Sequence, residues 1–358
     1  MMTTQTFDAT KAEIFTDRIL GVLNDGALAL MISVGHRTKL FDTLAELPPA
    51  TSQEIADTAG LNERYVREWL GAMVTGQLID YDPAEKTYYL PPEHSAFLTK
   101  SAGANNMAPI AQFISVLGTV EDKIVDCFSQ GGGVPYSEYK RFHEVMAEES
   151  GQTVVAALEE YILPLIPGIK EALAHGINVL DVGCGRGRAI TKLAELFPNS
   201  KFWGYDISSE AIATATAEAQ QKRLNNVRFQ IKDAATFNES DRYHLITTFD
   251  AIHDQAKPDV VLQNIHKALR PDGVYLMQDI HAATEVNDNL DHPIAPFLYT
   301  VSCMHCMTVS LADGGMGLGT MWGQEKALQM LADAGFTHVE VKQLEHDLQN
   351  DYYIVRKD

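Results

Sequence analysis

The residues best suited to binding a ligand are glycines and carboxylates between Asp181 and Asp206. Gly183, Gly185 and Gly187 alternate directly after a short apolar segment, and glycines there let the chain turn sharply and let a ligand approach the backbone. Asp181 comes just before the loop, where its charge opposes a phosphate and favours a cation. Asp206 follows a second apolar segment, and its carboxylate can accept hydrogen bonds from both hydroxyls of a ribose. This spacing predicts a site for a cationic nucleoside.

Two strands and a helix must position these residues. The apolar run Val179–Val182 predicts a buried parallel strand, Arg188–Phe197 an amphipathic helix, and Lys201–Tyr205 the next strand. The glycine spacing departs from the dinucleotide fingerprint, in which two residues separate the second and third glycines, so a pyrophosphate is disfavoured. S-adenosylmethionine is a cationic nucleoside that fits both carboxylates.

The stretch Asp181-Val-Gly-Cys-Gly-Arg-Gly187, together with Asp206 and Lys232-Asp233-Ala234, resembles the class I S-adenosylmethionine-dependent methyltransferases. The resemblance implies an α/β fold with a doubly wound, seven-stranded Rossmann-like sheet and S-adenosylmethionine as the cofactor. The cofactor contacts that it implies are Asp181, Gly183, Cys184, Gly185, Gly187, Asp206, Ile207, Lys232, Asp233, Ala234, Phe249 and Asp250.

A candidate general base follows the predicted strand His244–Phe249. Methyl transfer to a hydroxyl requires removal of a proton, and histidine suits that task near neutral pH. Ile252-His253-Asp254 is similar to the catalytic stretch of the small-molecule O-methyltransferases, which implies that His253, followed by Asp254, is catalytic. The tryptophan that this family carries after the pair is replaced by Gln255. The alternative is that Asp254 helps to begin the next helix and His253 is a half-buried loop histidine.

The acceptor site is predicted from a connecting helix and from a segment rich in methionine and histidine. The spacing of Phe142 and Met146 is similar to a Phe-x-x-x-Met helix that lies over the cofactor in the O-methyltransferases, although an amphipathic connecting helix has the same spacing. We interpret the glycine-rich stretch 313–319 as a mobile lid over the substrate. The predicted substrate-binding residues are Phe142, His143, Met146, His292, Met307, Met321 and Trp322.

Cys303 and Cys306 flank His305 at a spacing that places both thiols on one helical face. A structural zinc site requires four ligands, and the sequence offers no second pair of this kind. We therefore predict small core residues on an apolar helix and no metal site.

The N-terminal part predicts a winged helix. Thr51–Glu54 forms a capping box before a short helix, a second helix follows Asn62, and two short strands surround a turn at 82–86. Arg64 and Arg67 are offset by neighbouring glutamates, which disfavours DNA binding. The apolar face between residues 11 and 47 is too broad for a lone surface helix. In the O-methyltransferases that this pattern resembles, the domain pairs two subunits.

Composition further limits the class of protein, its location and its partners. The chain has 358 residues, a hydrophobic fraction of 46%, four cysteines and a net charge of −20, which together predict a cytoplasmic protein without a membrane span, a disulfide framework or a nucleic-acid partner. We expect a winged-helix dimerisation domain at 1–100, a helical connector at 101–170 and the cofactor-binding domain at 171–358. The predicted function is methyl transfer to a small, aromatic, hydroxyl-bearing molecule by a homodimer. The alternatives are a winged-helix regulator that senses the cofactor and a C-, N- or S-methyltransferase.

Overall fold

The computed structural model describes residues 6–345 and 347–357. The chain divides into two compact units, Met1–Ser115 and Val116–Asp358. Each unit has its own elements and core.

The first unit is mainly helical and contains a two-stranded antiparallel sheet in its described part. Its elements are α1 (Ala9–Thr38), α2 (Leu40–Glu46), α3 (Ser52–Ala59), α4 (Glu63–Thr75), β1 (Asp80–Asp82), β2 (Thr87–Tyr89) and α5 (Pro92–Leu98), followed by a 3₁₀ helix (Lys100–Asn105). This order of helix, turn, helix and two-stranded wing confirms the winged-helix prediction.

Local signals set the helix boundaries of this unit. The capping box at the start of α3 is confirmed, since Thr51 and Glu54 each bond the other's backbone N–H. The core of the unit includes Phe41 and Trp69, whose rings meet edge to face. Gly35 lies so close to Trp69 that an added Cβ would stand 2.5 Å from its ring. A glycine is therefore required where α1 crosses α4.

The end of the first unit leads, through α6 (Ala111–Gly118), into the second. The elements that follow are α7 (Glu121–Gln130), α8 (Phe142–Ser150), α9 (Ile169–His175), β3 (Asn178–Val182), α10 (Arg188–Leu196), β4 (Lys201–Asp206), α11 (Ser209–Gln221), β5 (Val227–Ile231), β6 (Tyr243–Phe249), α12 (Pro258–Ala268), β7 (Leu269–Ile280), α13 (Ala295–Val301), α14 (Met307–Ala312), α15 (Gln324–Asp333), β8 (His338–Leu344) and β9 (Asp347–Arg356). Short π-helical turns extend α8 over Gly151–Val155 and join α13 to α14 over Ser302–Cys306.

Within the described residues, the second unit contains a seven-stranded sheet in the order β5-β4-β3-β6-β7-β9-β8. The five strands from β5 to β7 are parallel, as expected, but β9 runs antiparallel to both of its neighbours. The sheet is therefore seven-stranded and doubly wound, as expected, and β9 makes it mixed. Residues Arg270–Gly273 lie inside β7, where the pairing with β6 is irregular.

Hydrophobic clusters cover both faces of this sheet. One face packs against α9 and α10 through residues such as Leu193 and Leu245, and the other packs against α12 and α15 through residues such as Ile246 and Leu331. Strands buried on both faces must be apolar along most of their length. Polar side chains are therefore concentrated where the parallel strands end, and the candidate site lies there.

Two helical stretches, Ala9–Thr38 and Ala295–Ala312, are long and apolar enough to cross a membrane by length and composition alone. No membrane-spanning helix was expected from the composition. The core helix of a soluble protein meets the same criterion, and several side chains of the second stretch are buried, among them Leu298 and Cys306.

Candidate active site

A cavity lies between the glycine loop after β3 and the helix α8. The residues that line it are His143, Met146, Ala147, Ser150, Val154, Asp181, Gly183, Cys184, Gly185, Arg186, Arg188, Ala189, Phe249 and Asp250. The cavity therefore lies at the carboxyl ends of β3 and β6, which is where open α/β sheets bind ligands.

The glycine loop depends on backbone conformations that other residues rarely adopt. Gly183 and Gly187 have φ angles of 71° and 67°. A Cβ on Gly183 would lie 2.6 Å from the Ala251 side chain, and one on Gly187 would lie 2.3 Å from Phe229. The first glycine allows the loop to pass the end of β6, and the second allows α10 to pack closely on the sheet.

Asp206 fixes this loop from the end of β4. One carboxylate oxygen accepts a hydrogen bond from Gly185 N at 2.8 Å, and the other accepts one from Ser208 N, also at 2.8 Å. Each carboxylate oxygen has more than one lone pair, so both remain able to accept a further bond from a ligand.

Two further carboxylates at the cavity are short of partners. Burial raises the pKa of Asp181 to about 7, although Thr247 Oγ1 donates to its Oδ1 at 2.8 Å. Burial and the neighbouring charge of Asp279 raise the pKa of Asp250 well above its usual range. Asp250 Oδ1 is buried and accepts no hydrogen bond from the described residues. Such groups favour a cationic ligand, because a positive charge nearby would stabilise their ionised forms.

His253 is buried, with 3% of its surface exposed, and it is held by a carboxylate. Its Nδ1 donates to Asp279 Oδ1 at 2.7 Å, and the same oxygen accepts from Trp322 Nε1 at 3.0 Å and from Ile280 N at 2.9 Å. Burial alone would lower the pKa of His253, but the Asp279 charge, the neighbouring Cys306 thiol and their hydrogen bonds raise it well above 6.5. This arrangement fixes the ring through Nδ1, with the Cys306 thiol as a further neighbour.

A cluster of aromatic rings adjoins the cavity through His143. His305 stacks on Phe142 with 3.5 Å between ring centroids, and Tyr136 stacks on His143 at 4.8 Å. Tyr136 also meets His305 edge to face. Cys306 Sγ lies 3.6 Å from His305 Nδ1. These rings form an apolar surface that can exclude water and hold a flat molecule.

The structure brings half of the predicted cofactor residues to the cavity itself. Asp181, Gly183, Cys184, Gly185, Phe249 and Asp250 line it, and Asp206 contacts the loop. Lys232 instead donates to Glu239 at 3.0 Å, and Asp233 accepts a bond from Ala235 N. Ala234 is buried against Phe237 and its neighbours, whereas Ile207 is exposed.

The predicted substrate residues are divided between several environments. His143 and Met146 line the cavity, and Phe142 contacts His305. Trp322 bonds Asp279 from within the core, and Met321 packs in a small cluster around Leu298. His292 bonds the carbonyl of His281 through Nε2 at 3.0 Å, and Met307 lies beside Gly319. The substrate roles of these residues stay predictions.

The glycine-rich stretch 313–319 is tied to the segment that carries His253. Gly319 N donates to His253 O at 3.1 Å, Met316 N donates to Ala256 O at 3.0 Å, and a Cβ on Gly315 would lie 2.4 Å from Ala256. The interpretation of this stretch as a mobile lid over the substrate stays a prediction. In this structure the stretch supports His253.

Sequence reasoning missed several residues of this site. Asp279 is the carboxylate on His253, whereas Asp254 is half-buried nearby, where desolvation raises its pKa to about 6. The position of Asp279 at the end of a predicted strand was the available signal. Arg186 also lines the cavity; it lies within the glycine motif but was not assigned a cofactor contact. Arg188 and Ser150 line the cavity too, and no sequence motif indicated them.

Comparison with known proteins agrees with this geometry. A family model described as an Rv2258c-like winged HTH domain matches residues 26–100, and a model described as a methyltransferase domain matches residues 173–335. The malonyl-[acyl-carrier protein] O-methyltransferase of Bacillus cytotoxicus is 27% identical over 163 residues, covering 42% of this chain and 50% of that protein. The chain thus spans about half or less of the length of the first curated relatives that it matches.

Solved structures match over nearly the whole chain. Human N-acetylserotonin methyltransferase in complex with S-adenosylmethionine has a TM-score of 0.70 and 16% identity, with 99% of each chain covered. An O-methyltransferase-like protein from Nostoc punctiforme has a TM-score of 0.70 and 17% identity, with 95% of this chain and 98% of that chain covered. At these identities the likeness shows the fold.

The cavity residues fit S-adenosylmethionine, the cofactor of this family. Asp206 retains lone pairs for ribose hydroxyls, and the unpartnered oxygen of Asp250 suits the positive charge of a sulfonium or ammonium group. The glycine loop leaves room for a ligand beside the backbone. The chain therefore combines an Rv2258c-like winged HTH domain with a methyltransferase domain.

Proposed function

We propose that this chain transfers a methyl group from S-adenosylmethionine to a hydroxyl of a small aromatic molecule, with His253 as the general base. The observation that carries the proposal is the bond from His253 Nδ1 to the buried carboxylate of Asp279. His253 itself lies three residues after Asp250, which lines the cofactor cavity. A histidine held in this way presents Nε2 as a proton acceptor. The stacked rings of Phe142, His305 and Tyr136 support a flat acceptor.

In this mechanism the cofactor supplies an activated methyl group, and the protein's residues orient, shield and deprotonate. Asp206 would hold the ribose, and Asp181 and Asp250 would face the positive charge. The aromatic rings would exclude water from the reacting pair, which strengthens electrostatic interactions there. His253 Nε2 would accept the proton of the acceptor hydroxyl, and Asp279 would stabilise the imidazolium that forms.

The test is a panel of phenols, amines and thiols incubated with the full chain and S-adenosylmethionine labelled in its methyl group. We expect phenols to be methylated, and His253→Gln to lower their turnover by roughly two to four powers of ten. Cofactor affinity, measured by calorimetry, should hardly change. His338→Gln replaces an exposed histidine at the sheet edge and serves as the matched control. Near-normal phenol turnover in His253→Gln, or methylation of amines or thiols only, would contradict the proposal.

We further infer that the winged-helix domain pairs two copies of the chain and does not bind DNA. In the first unit α1 exposes a row of large apolar side chains, among them Phe15, Leu20 and Leu23. On α4, Arg64 pairs with Glu68 and Arg67 with Glu63, which neutralises the basic side chains that a recognition helix needs. Sedimentation should give a dimer, and Leu20→Glu combined with Leu23→Glu should give a monomer. A dimer that persists in this double variant would exclude α1 as the contact.

Residues 101–170 are proposed as a connector that contributes to the active site, because α8 and its π-helical extension line the cavity. A cytoplasmic location is proposed from composition.

A further inference from the structure

His305 is a buried histidine to which the proposed mechanism gives no polar role. It lies in the π-helical turn Ser302–Cys306, a kind of turn that is frequent at functional sites, and it is 1% exposed. Its Nδ1 lies 3.6 Å from Cys306 Sγ, whereas its Nε2 is a buried nitrogen without a hydrogen-bond partner among residues 6–345 and 347–357. Because burying a polar nitrogen without a hydrogen bond destabilises a fold, this atom requires an explanation beyond packing.

Three aromatic rings hold the His305 ring in one orientation. Phe142 stacks on it with 3.5 Å between ring centroids, and Tyr136 and Tyr139 meet it edge to face at 4.9 and 4.8 Å. The Tyr139 hydroxyl also donates to the carbonyl of Met304, so the ring that flanks His305 is fastened to the turn that carries it. The direction of Nε2 is therefore fixed by packing.

His305 has neighbours at the cofactor cavity and at the candidate base. Tyr136, which meets His305 edge to face, also stacks on His143 of the cavity lining. The Cys306 thiol, which lies beside His305 Nδ1, is also a hydrogen-bonding neighbour of His253. One thiol therefore contacts both imidazoles, and the two rings are near neighbours.

His305 is neutral beside the base. Burial lowers its pKa well below 6.5, and positive charge on His253 or His143 lowers the pKa further. A neutral imidazole has one N–H and one lone pair. Because Nδ1 faces the Cys306 thiol, Nε2 can either donate or accept one hydrogen bond. A hydroxyl group suits both cases, since it donates and accepts.

We propose that His305 Nε2 forms a hydrogen bond with a second hydroxyl of the acceptor, so that the chain selects aromatic molecules with two hydroxyls over those with one. This inference rests on the proposed transfer to an aromatic hydroxyl. Phe142 and Tyr136 supply apolar surface for a flat ring, and His305 supplies a polar contact within that surface. An acceptor without the second hydroxyl leaves Nε2 unpaired, and a site built in this way discriminates against it. His305 is thus a specificity-determining residue and takes no part in proton transfer.

Binding to a complex that cannot transfer a methyl group tests this role. The full chain is saturated with S-adenosylhomocysteine, and the affinities for 2,3-dihydroxynaphthalene and 2-naphthol are measured by calorimetry. We expect the unmodified protein to bind the dihydroxy compound roughly ten- to 100-fold more tightly, because 2-naphthol leaves Nε2 unpaired. In His305→Phe, whose ring can still stack on Phe142, this preference should disappear. Tyr139→Phe removes a hydroxyl from the same cluster and is the matched control, in which the preference should persist.

A purely structural role of His305 would weaken the binding of both compounds equally and leave their ratio unchanged. Equal affinities in the unmodified protein, a preference that survives in folded His305→Phe, or failure of both compounds to bind would overturn the inference. Nuclear magnetic resonance of the unmodified chain, labelled with ¹⁵N-histidine, keeps the inference testable if the variant does not fold. The His305 Nε2 signal should shift with 2,3-dihydroxynaphthalene and hardly with 2-naphthol, and a signal that neither compound moves overturns the inference. These measurements need no turnover, so they are independent of the base role, which fails separately if His253→Gln retains turnover.

Discussion

Replacing Asp279 by asparagine tests the geometry of the base most directly. The substitution keeps an oxygen that can accept from Trp322, Ile280 N and His253, but it removes the negative charge 2.7 Å from His253 Nδ1. A hydrogen bond between charged groups contributes about 1.5–3 kcal/mol. Loss of that stabilisation in the transition state corresponds to a roughly ten- to 150-fold lower kcat.

The same substitution should change the pH dependence. Asp279 raises the pKa of His253 well above 6.5, and the base is active only when its imidazole is neutral. In the unmodified protein kcat should therefore rise with pH through this raised pKa. In Asp279→Asn the pKa falls, so the rise should occur at lower pH while the plateau is lower.

The assay is kcat against pH with a phenol that the panel identifies, accompanied by thermal unfolding of each variant. Asp333→Asn, at an exposed position at the end of α15, is the control. If Asp279→Asn is folded and reproduces both the plateau and the pH profile of the unmodified protein, then Asp279 does not act through His253.

Three further outcomes follow from the site. Asp206→Ala should weaken cofactor binding, measured by calorimetry, roughly ten- to 100-fold, because the ribose hydroxyls and Gly185 N lose their acceptor. Unchanged affinity would show that Asp206 does not contact the cofactor. Burial raises the pKa of Asp181 to about 7. As the pH falls from 8 to 6, the affinity for cationic S-adenosylmethionine should therefore fall by up to about tenfold per pH unit, and the affinity for neutral S-adenosylhomocysteine should fall less. Parallel pH profiles for the two ligands would count against a carboxylate facing the cation. Burial raises the pKa of Glu149 from 4.5 to about 7, so its ionisation destabilises the fold as pH rises through that range. In denaturant unfolding, Glu149→Gln should be about 3 kcal/mol more stable than the unmodified protein at pH 8 but similar at pH 4. Equal stability at pH 8 would show that Glu149 ionises without cost.

Local features of the sequence determined much of the fold. Thr51 caps α3, as predicted, because a capping side chain bonds backbone groups only two or three residues away. The glycine loop also follows from local chemistry, since Gly183 and Gly187 adopt positive φ angles that other residues disfavour.

The antiparallel edge and the partner of the base were decided by tertiary structure. Asp279 lies 26 residues after His253 in sequence, and nothing in the local pattern indicates which strand-end carboxylate reaches the ring. Asp351 lies farther along the chain, and it meets Asp279 only through the register of β7 with β9. A shift of one residue in that register would turn Asp351 to the other face of the sheet. The sequence by itself determined the cofactor loop and the presence of a histidine after β6, because these depend on neighbouring residues. The pairing of His253 with Asp279 depends on which strands lie side by side, and only the packed sheet decides that.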